Sequence, residues 1–206
     1  MTNDNSDDSV SVALTHEPAS NRARILRPRR IISLTLVLFC LLLTGDWYQK
    51  NREMNELVTA VEHSESKIIA ARDNIYQVLE PYAKSVSLDN YQREQARRLV
   101  REAAARGAEG VIVAGDAVED VFVMPWHTAI IRAKARYIAH STAWKRHLVA
   151  VAKEPSEFAK PEPTINATFE SAYPAFKAAT PRWSLYNLRT RIDEVFAGAI
   201  DTSSSS

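Results

Sequence analysis

The sequence predicts an all-α fold: one N-terminal transmembrane helix continuing into an extracytoplasmic antiparallel helical bundle. Three observations predict it. The run Ile31–Leu43, IISLTLVLFCLLL, carries no charge and no polar stripe, so a helix there is apolar on every side and needs lipid or a protein interior around it. Apolar residues then recur at alternating steps of three and four, from Trp47 to Tyr82 and again from Ile130 to Val151. Only 5 of 206 residues are glycine, and alanine, leucine, arginine and glutamate dominate the rest.

The first element is the anchor, assigned to 31–48. Its 18 residues span about 27 Å at the helical rise, and arginine stems that snorkel extend that reach. Arg22, Arg24, Arg27, Arg29 and Arg30 stand before it, with Arg29 and Arg30 at its edge; Trp47 and Tyr48 suit the headgroup level after it. Lys50 and Arg52 are the only basic residues soon after Tyr48, so the positive-inside bias keeps the N-terminus in the cytoplasm. The expected location is the plasma membrane, crossed once, with the C-terminal domain extracytoplasmic and membrane lipid as a partner. A cleaved secretory signal shares the basic region and apolar core, but Leu43 breaks the small-x-small pattern near Thr44 and Gly45. Phe39 before Cys40 is likewise too bulky for a lipoprotein cysteine box.

Residues 1–30 are expected to be a disordered cytoplasmic tail with an arginine-rich end, too poor in apolar side chains to fold alone. Residues 49–199 form the helical domain, and 200–206 a disordered serine tail. The single cysteine, Cys40, lies in the apolar run, which excludes disulfides, zinc–thiolate sites and cysteine nucleophiles from the rest. Setting aside the five arginines and four acids before Ile31 leaves 21 basic and 21 acidic residues. A neutral domain of this kind is not an electrostatic binder of polyanions, and no nucleic-acid partner is expected.

The first domain helix carries a seam through Met54, Leu57, Val61, Ser64, Ile68, Ala71, Ile75 and Val78, and is expected to end at Glu80 before Pro81. In a parallel coiled coil its flanking positions match Glu53 with Val58, Ala60 with Glu65 and Lys67 with Arg72. None of these attracts, which favours packing within the chain and leaves homo-oligomerisation open. Ser87 or Asp89 caps a second helix that ends at Gly107, with Arg93, Arg97, Arg98, Arg101 and Arg106 on a solvated face. Residues 108–124 are ambiguous, with helical character near Ala117–Phe122. Pro125 opens a third helix whose seam is Ile130, Ala133, Tyr137, Ser141, Trp144, Leu148 and Val151. A proline-rich linker fills 154–163; weak helix follows from Asn166, interrupted at Pro174. Thr180 caps a last helix with Leu185, Leu188, Ile192 and Val195 inward, stopped by Gly198.

Catalytic patterns are missing. His140 and His147 lie two turns apart without the spacing or glutamate of HExxH, and Gly107, Gly110 and Gly115 fit no phosphate loop. No GxSxG occurs, and Asp116, Glu119 and Asp120 lack calcium-loop alternation. No catalytic, metal or cofactor site is assigned, and no enzyme is expected. From Val121 to Lys153 the only charged residues, Glu- and Asp-free, are basic; Arg132, Arg136, Lys145 and Arg146 offer a surface to an anionic partner unless Asp116, Glu119 and Asp120 neutralise them. Asn166–Thr168 is a glycosylation sequon with meaning only in a eukaryotic secretory pathway. The leading expectation is a binding or scaffold subunit of an envelope assembly, with a protein partner in the membrane or envelope. The alternative is a ligand-sensing ectodomain with a pocket among Trp126, Tyr137, Trp144 and Trp183, and the enzyme stands third.

Overall fold

Pro28 starts the first helix, a position where its missing N–H costs nothing. A computed structural model describes residues 28–84, 87–160 and 162–201, with side chains from Ile32 to Ala197. It contains helices α1 (Pro28–Ala83), α2 (Asn90–Glu119), α3 (Thr128–Lys153), α4 (Pro163–Ala179) and α5 (Leu188–Asp201), a 3-10 turn at Pro155–Ala159, and no strand among the described residues. Residues 1–27 of the expected 1–30 tail and the last five serine-rich residues lie outside the described residues, as do the side chains of Arg29 and Arg30, while 28–30 are the first residues of α1.

The chain divides into two compact units, Met1–Leu42 and Leu43–Ser206. In the first, every large apolar side chain described from Ile32 to Leu42 is between 56% and 67% exposed. This segment belongs to the one described helix that is long and apolar enough to cross a membrane.

The second unit buries the seams. Met54, Leu57, Val58 and Val61 of α1 pack with Ile130, Ala133 and Tyr137 of α3, Phe176 of α4, and Leu188, Ile192 and Phe196 of α5. A separate cluster joins Ile68, Ala71 and Ile75 to Val100, Ala104 and Val111 of α2 and to Leu148 and Val151 of α3. Between the two lies a polar layer of Ser64, Glu65, His140 and Ser141, all buried. Arg191 of α5 grips α1 from outside: its Nε and Nη2 donate to the Glu62 carboxylate at 2.7 and 2.6 Å, while Nη1 and Nη2 donate to Asn55 Oδ1 at 2.6 Å and Thr59 Oγ1 at 2.9 Å.

Several expected boundaries are corrected. Asp89 does cap α2, in a box where its carboxylate accepts from Gln92 N and Gln92 accepts from Asp89 N. The helix then runs through Gly107, Gly110 and Gly115 to Glu119. A Cβ on Gly107 would stand 2.6 Å from Ala71 Cβ, and one on Gly115 2.8 Å from Ser141 Oγ. These two glycines are absences of side chain that let neighbouring helices approach, not breaks.

Pro81 and Pro174 also sit inside helices, α1 ending at Ala83 and α4 running unbroken to Ala179. Each proline forfeits one backbone hydrogen bond; Pro81 lies in a last turn, and burial of Ala172, Phe176 and Ala179 holds α4 together around Pro174. Helix α3 begins at Thr128, not Pro125, because His127 N bonds back to Met124 O in a turn. Thr180 opens no helix; it is the C-cap of α4, its N–H and hydroxyl both donating back to Phe176 O, and α5 starts at Leu188 after Asn187 at φ 50°. Asparagine tolerates that left-handed geometry. Leu185 is consequently exposed, and Gly198 lies within α5.

Candidate binding site

The polar layer is built by seam positions on α1 and α3. Ser64 and Tyr137 occupy seam sites, and Glu65 and His140 are their neighbours on the same buried stripes. Glu65 Oε1 and His140 Nε2 face each other at 3.5 Å. Both residues are nearly inaccessible, at 4% and 2% exposure, and neither atom has a hydrogen-bond partner; the same holds for Ser64 Oγ and Tyr137 OH.

The tautomer of His140 follows from its other side. Thr168 Oγ1 donates its only hydrogen to the carbonyls of Thr164 and Ile165, at 2.8 and 2.9 Å. His140 Nδ1, 3.3 Å from that oxygen, must therefore be the donor. Nε2 then faces Glu65 Oε1 across the interface at a distance and geometry that make no hydrogen bond. Burial and the Glu65 charge push the Tyr137 phenol well above its ordinary value of 10.

Glu65 and His140 form the floor of a cavity of about 740 Å³ between α1, α3, the 3-10 turn and α4. Its walls include Tyr76, Trp144, Phe158, Phe169 and Tyr173, with His147 and Arg72 among them. Arg72 is largely buried and its Nε has no partner. His147 lies against Phe158, and burial lowers its pKa from 6.5. The volume falls within the range of small-molecule sites. Aromatic walls with a few convergent polar atoms suit a ligand with an apolar body and a hydrogen-bonding head.

Of the four aromatics expected around a pocket, only Trp144 lines it. Tyr137 is fully buried behind His140, and Trp126 and Trp183 are 63% and 77% exposed. They sit instead on the connections before α3 and before α5. Both connections are held to the start of the domain segment of α1: Trp126 Nε1 donates to Asp46 Oδ1 at 3.1 Å, and Trp47 Nε1 to Trp183 O at 3.1 Å. Asn51 bridges Trp47 O and Leu185 N, at 2.9 and 3.1 Å. His127 is buried beside them, with Nδ1 2.6 Å from Glu53 Oε2 and Nε2 3.2 Å from Asp46 Oδ1. Both nitrogens facing carboxylates are satisfied together only when both carry hydrogen.

Tyr48 is half exposed at the same end. Arg132, Arg136, Lys145 and Arg146 are exposed along α3, and none makes an ion pair among the described residues. Lys145 lies near Asp116 and Glu119, and Lys134 donates to the Glu119 and Val121 carbonyls, at 2.5 and 2.8 Å. Sequence reading passed over Glu65 and Arg72; the available signal was a carboxylate beside Ser64 on a stripe that must be buried.

In comparisons with known proteins, no family model, curated protein or solved structure matches the chain.

Proposed function

We propose that the chain is a single-pass plasma-membrane protein, N-terminus cytoplasmic, whose extracytoplasmic antiparallel helical bundle binds a small molecule in the cavity between α1, α3 and α4. The cavity of about 740 Å³, lined by the facing Glu65–His140 pair and by Arg72, whose Nε has no partner, carries this reading. Buried polar groups are costly when unpaired, so a site that leaves several together is one a ligand completes. The anchor reading draws support from the exposed apolar side chains at Ile32–Leu42. The up-and-down arrangement draws support from contact order: Met54 and Ile130 share one cluster and Ile75 and Val151 the other, while Val118 and Val100 of α2 meet them in reverse. Helix α1 supplies Glu65, Ile69 and Arg72 to the cavity and also contains the apolar segment.

The test is native mass spectrometry of full-length protein extracted gently from its membrane. Wild type is expected to carry a low-mass adduct that Ile69→Trp, which puts an indole into the cavity, weakens or removes. Spectra without adduct in either protein, together with no compound from a small-molecule library raising the wild-type melting temperature above the variant's, overturn the reading.

A second reading, a scaffold subunit of an envelope assembly, is favoured by the unpaired basic residues on α3. Charge reversal at Arg132 and Arg136 is then expected to abolish crosslinking to a partner in native membranes while leaving the fold intact; unchanged crosslinking removes it.

A further inference from the structure

Two connections that are distant in sequence converge on one turn of α1, and both expose aromatic or aliphatic side chains there. Val121–Trp126 reads VFVMPW, with no charge and no hydrogen-bonding side chain but the indole; Phe122 and Trp126 are exposed. Residues 182–185 read Arg-Trp-Ser-Leu, with Arg182, Trp183 and Leu185 exposed. Monomeric soluble proteins rarely gather such residues at one end without something to cover them.

The hydrogen bonds fix their level. Trp126 is tied to Asp46 and Trp183 to Trp47. Asp46 follows Leu43, the last residue of the apolar run, by about 4.5 Å of helical rise. If α1 leaves the bilayer there, as the proposed anchor requires, this end of the domain has nowhere to be except in the headgroup layer.

We propose that the connections 121–126 and 182–185 dock into the interfacial layer of the bilayer, where Trp126 and Trp183 join Trp47 and Tyr48 in an aromatic collar around the exit point of α1. The proposal rests on the anchor reading. The chemistry matches that layer rather than a protein groove. Indoles prefer the headgroup level, where an apolar body meets a wet boundary. Arg182 beside Trp183 stands within reach of lipid phosphates, and Asp46, the acid at the centre of this end, is already engaged by Trp126 and His127.

The test uses the full chain in nanodiscs made from lipids with or without brominated acyl chains, reading tryptophan fluorescence. Variants retaining only one tryptophan, the other three replaced by phenylalanine, report each position. Bromolipid is expected to roughly halve emission from Trp47, Trp126 and Trp183, as it does for interfacial indoles, and to leave Trp144 in the cavity unchanged. Should the triple variants not fold, the quenching lost from wild type by Trp183→Phe alone, and by Trp126→Phe alone, gives the same answer. Quenching of Trp47 without Trp126 or Trp183 overturns the collar and leaves the anchor standing; it is also the outcome if a protein partner covers this end. Quenching of none of the three overturns both readings.

Discussion

Glu65 and His140 face each other across the α1–α3 interface at 3.5 Å, too far for a direct hydrogen bond, with neither facing atom otherwise partnered. Removing one member of a buried pair leaves the other without its counterpart, which is expensive.

His140→Leu is expected to cost about 3 kcal/mol, because it strands the Glu65 carboxylate opposite an apolar group. The double variant Glu65→Leu/His140→Leu is expected to recover most of that loss. Denaturant unfolding in detergent measures both, and a double variant as unstable as the sum of the singles would refute the account.

Gly107 and Gly110 occupy the same helix and answer oppositely to alanine. Gly107→Ala pushes a methyl to 2.6 Å from Ala71 Cβ; it is expected to destabilise by about 1–3 kcal/mol, with Ala71→Gly restoring part of it. Gly110 has open space around its Cβ position, so Gly110→Ala is expected to stabilise by up to about 1 kcal/mol. Melting temperatures of the four proteins form the check.

His147 introduces a pH dependence with a definite sign. Burial holds its folded-state pKa below 6.5, so the unfolded chain takes up its proton first as pH falls. Stability is therefore full above 6.5, declines as the pH drops from there through the lowered folded value, and levels off beneath it. The slope is modest because the side chain is only partly buried. His147→Gln is expected to flatten the unfolding midpoint over that window; an unchanged profile would rule His147 out as the source.

Arg191→Lys keeps the charge but loses the planar fork on Glu62 and the reach to Asn55 and Thr59. A loss of about 1–2 kcal/mol is expected. Hydrogen exchange reads it locally, with α5 losing protection before α3; uniform change across the domain would contradict it.

The parts of the fold written in period were legible. Met54, Leu57, Val61, Ile68, Ala71 and Ile75, and likewise Ile130, Ala133, Tyr137, Leu148 and Val151, are buried where their spacing placed them. What misled was residue type taken as punctuation. Gly107 looked like a stop, yet its role is the missing methyl, a property of the facing helix that no local pattern encodes. Pro174 looked like a break, but packing on both sides outweighs one lost hydrogen bond.

The site was less legible than the fold. The cavity draws on residues as far apart as Glu65 and Tyr173, and its aromatic walls come from four segments. Trp144 was placed correctly because it belongs to a periodic seam. Trp126 and Trp183 lie on irregular connections, where nothing in spacing tells an exposed ring from a core one; their level is set by hydrogen bonds to Asp46 and Trp47.

The Glu62–Arg191 fork joins positions 129 residues apart, and Leu188, Ile192 and Phe196 close over Met54 and Leu57 in the same cluster. During synthesis the ridge on α1 is therefore finished long before its cover exists. A ribosome that stalls, or a protease that cuts, ahead of Leu188 releases a polypeptide with a greasy strip open to solvent. Such a fragment is prey for quality control rather than a working half.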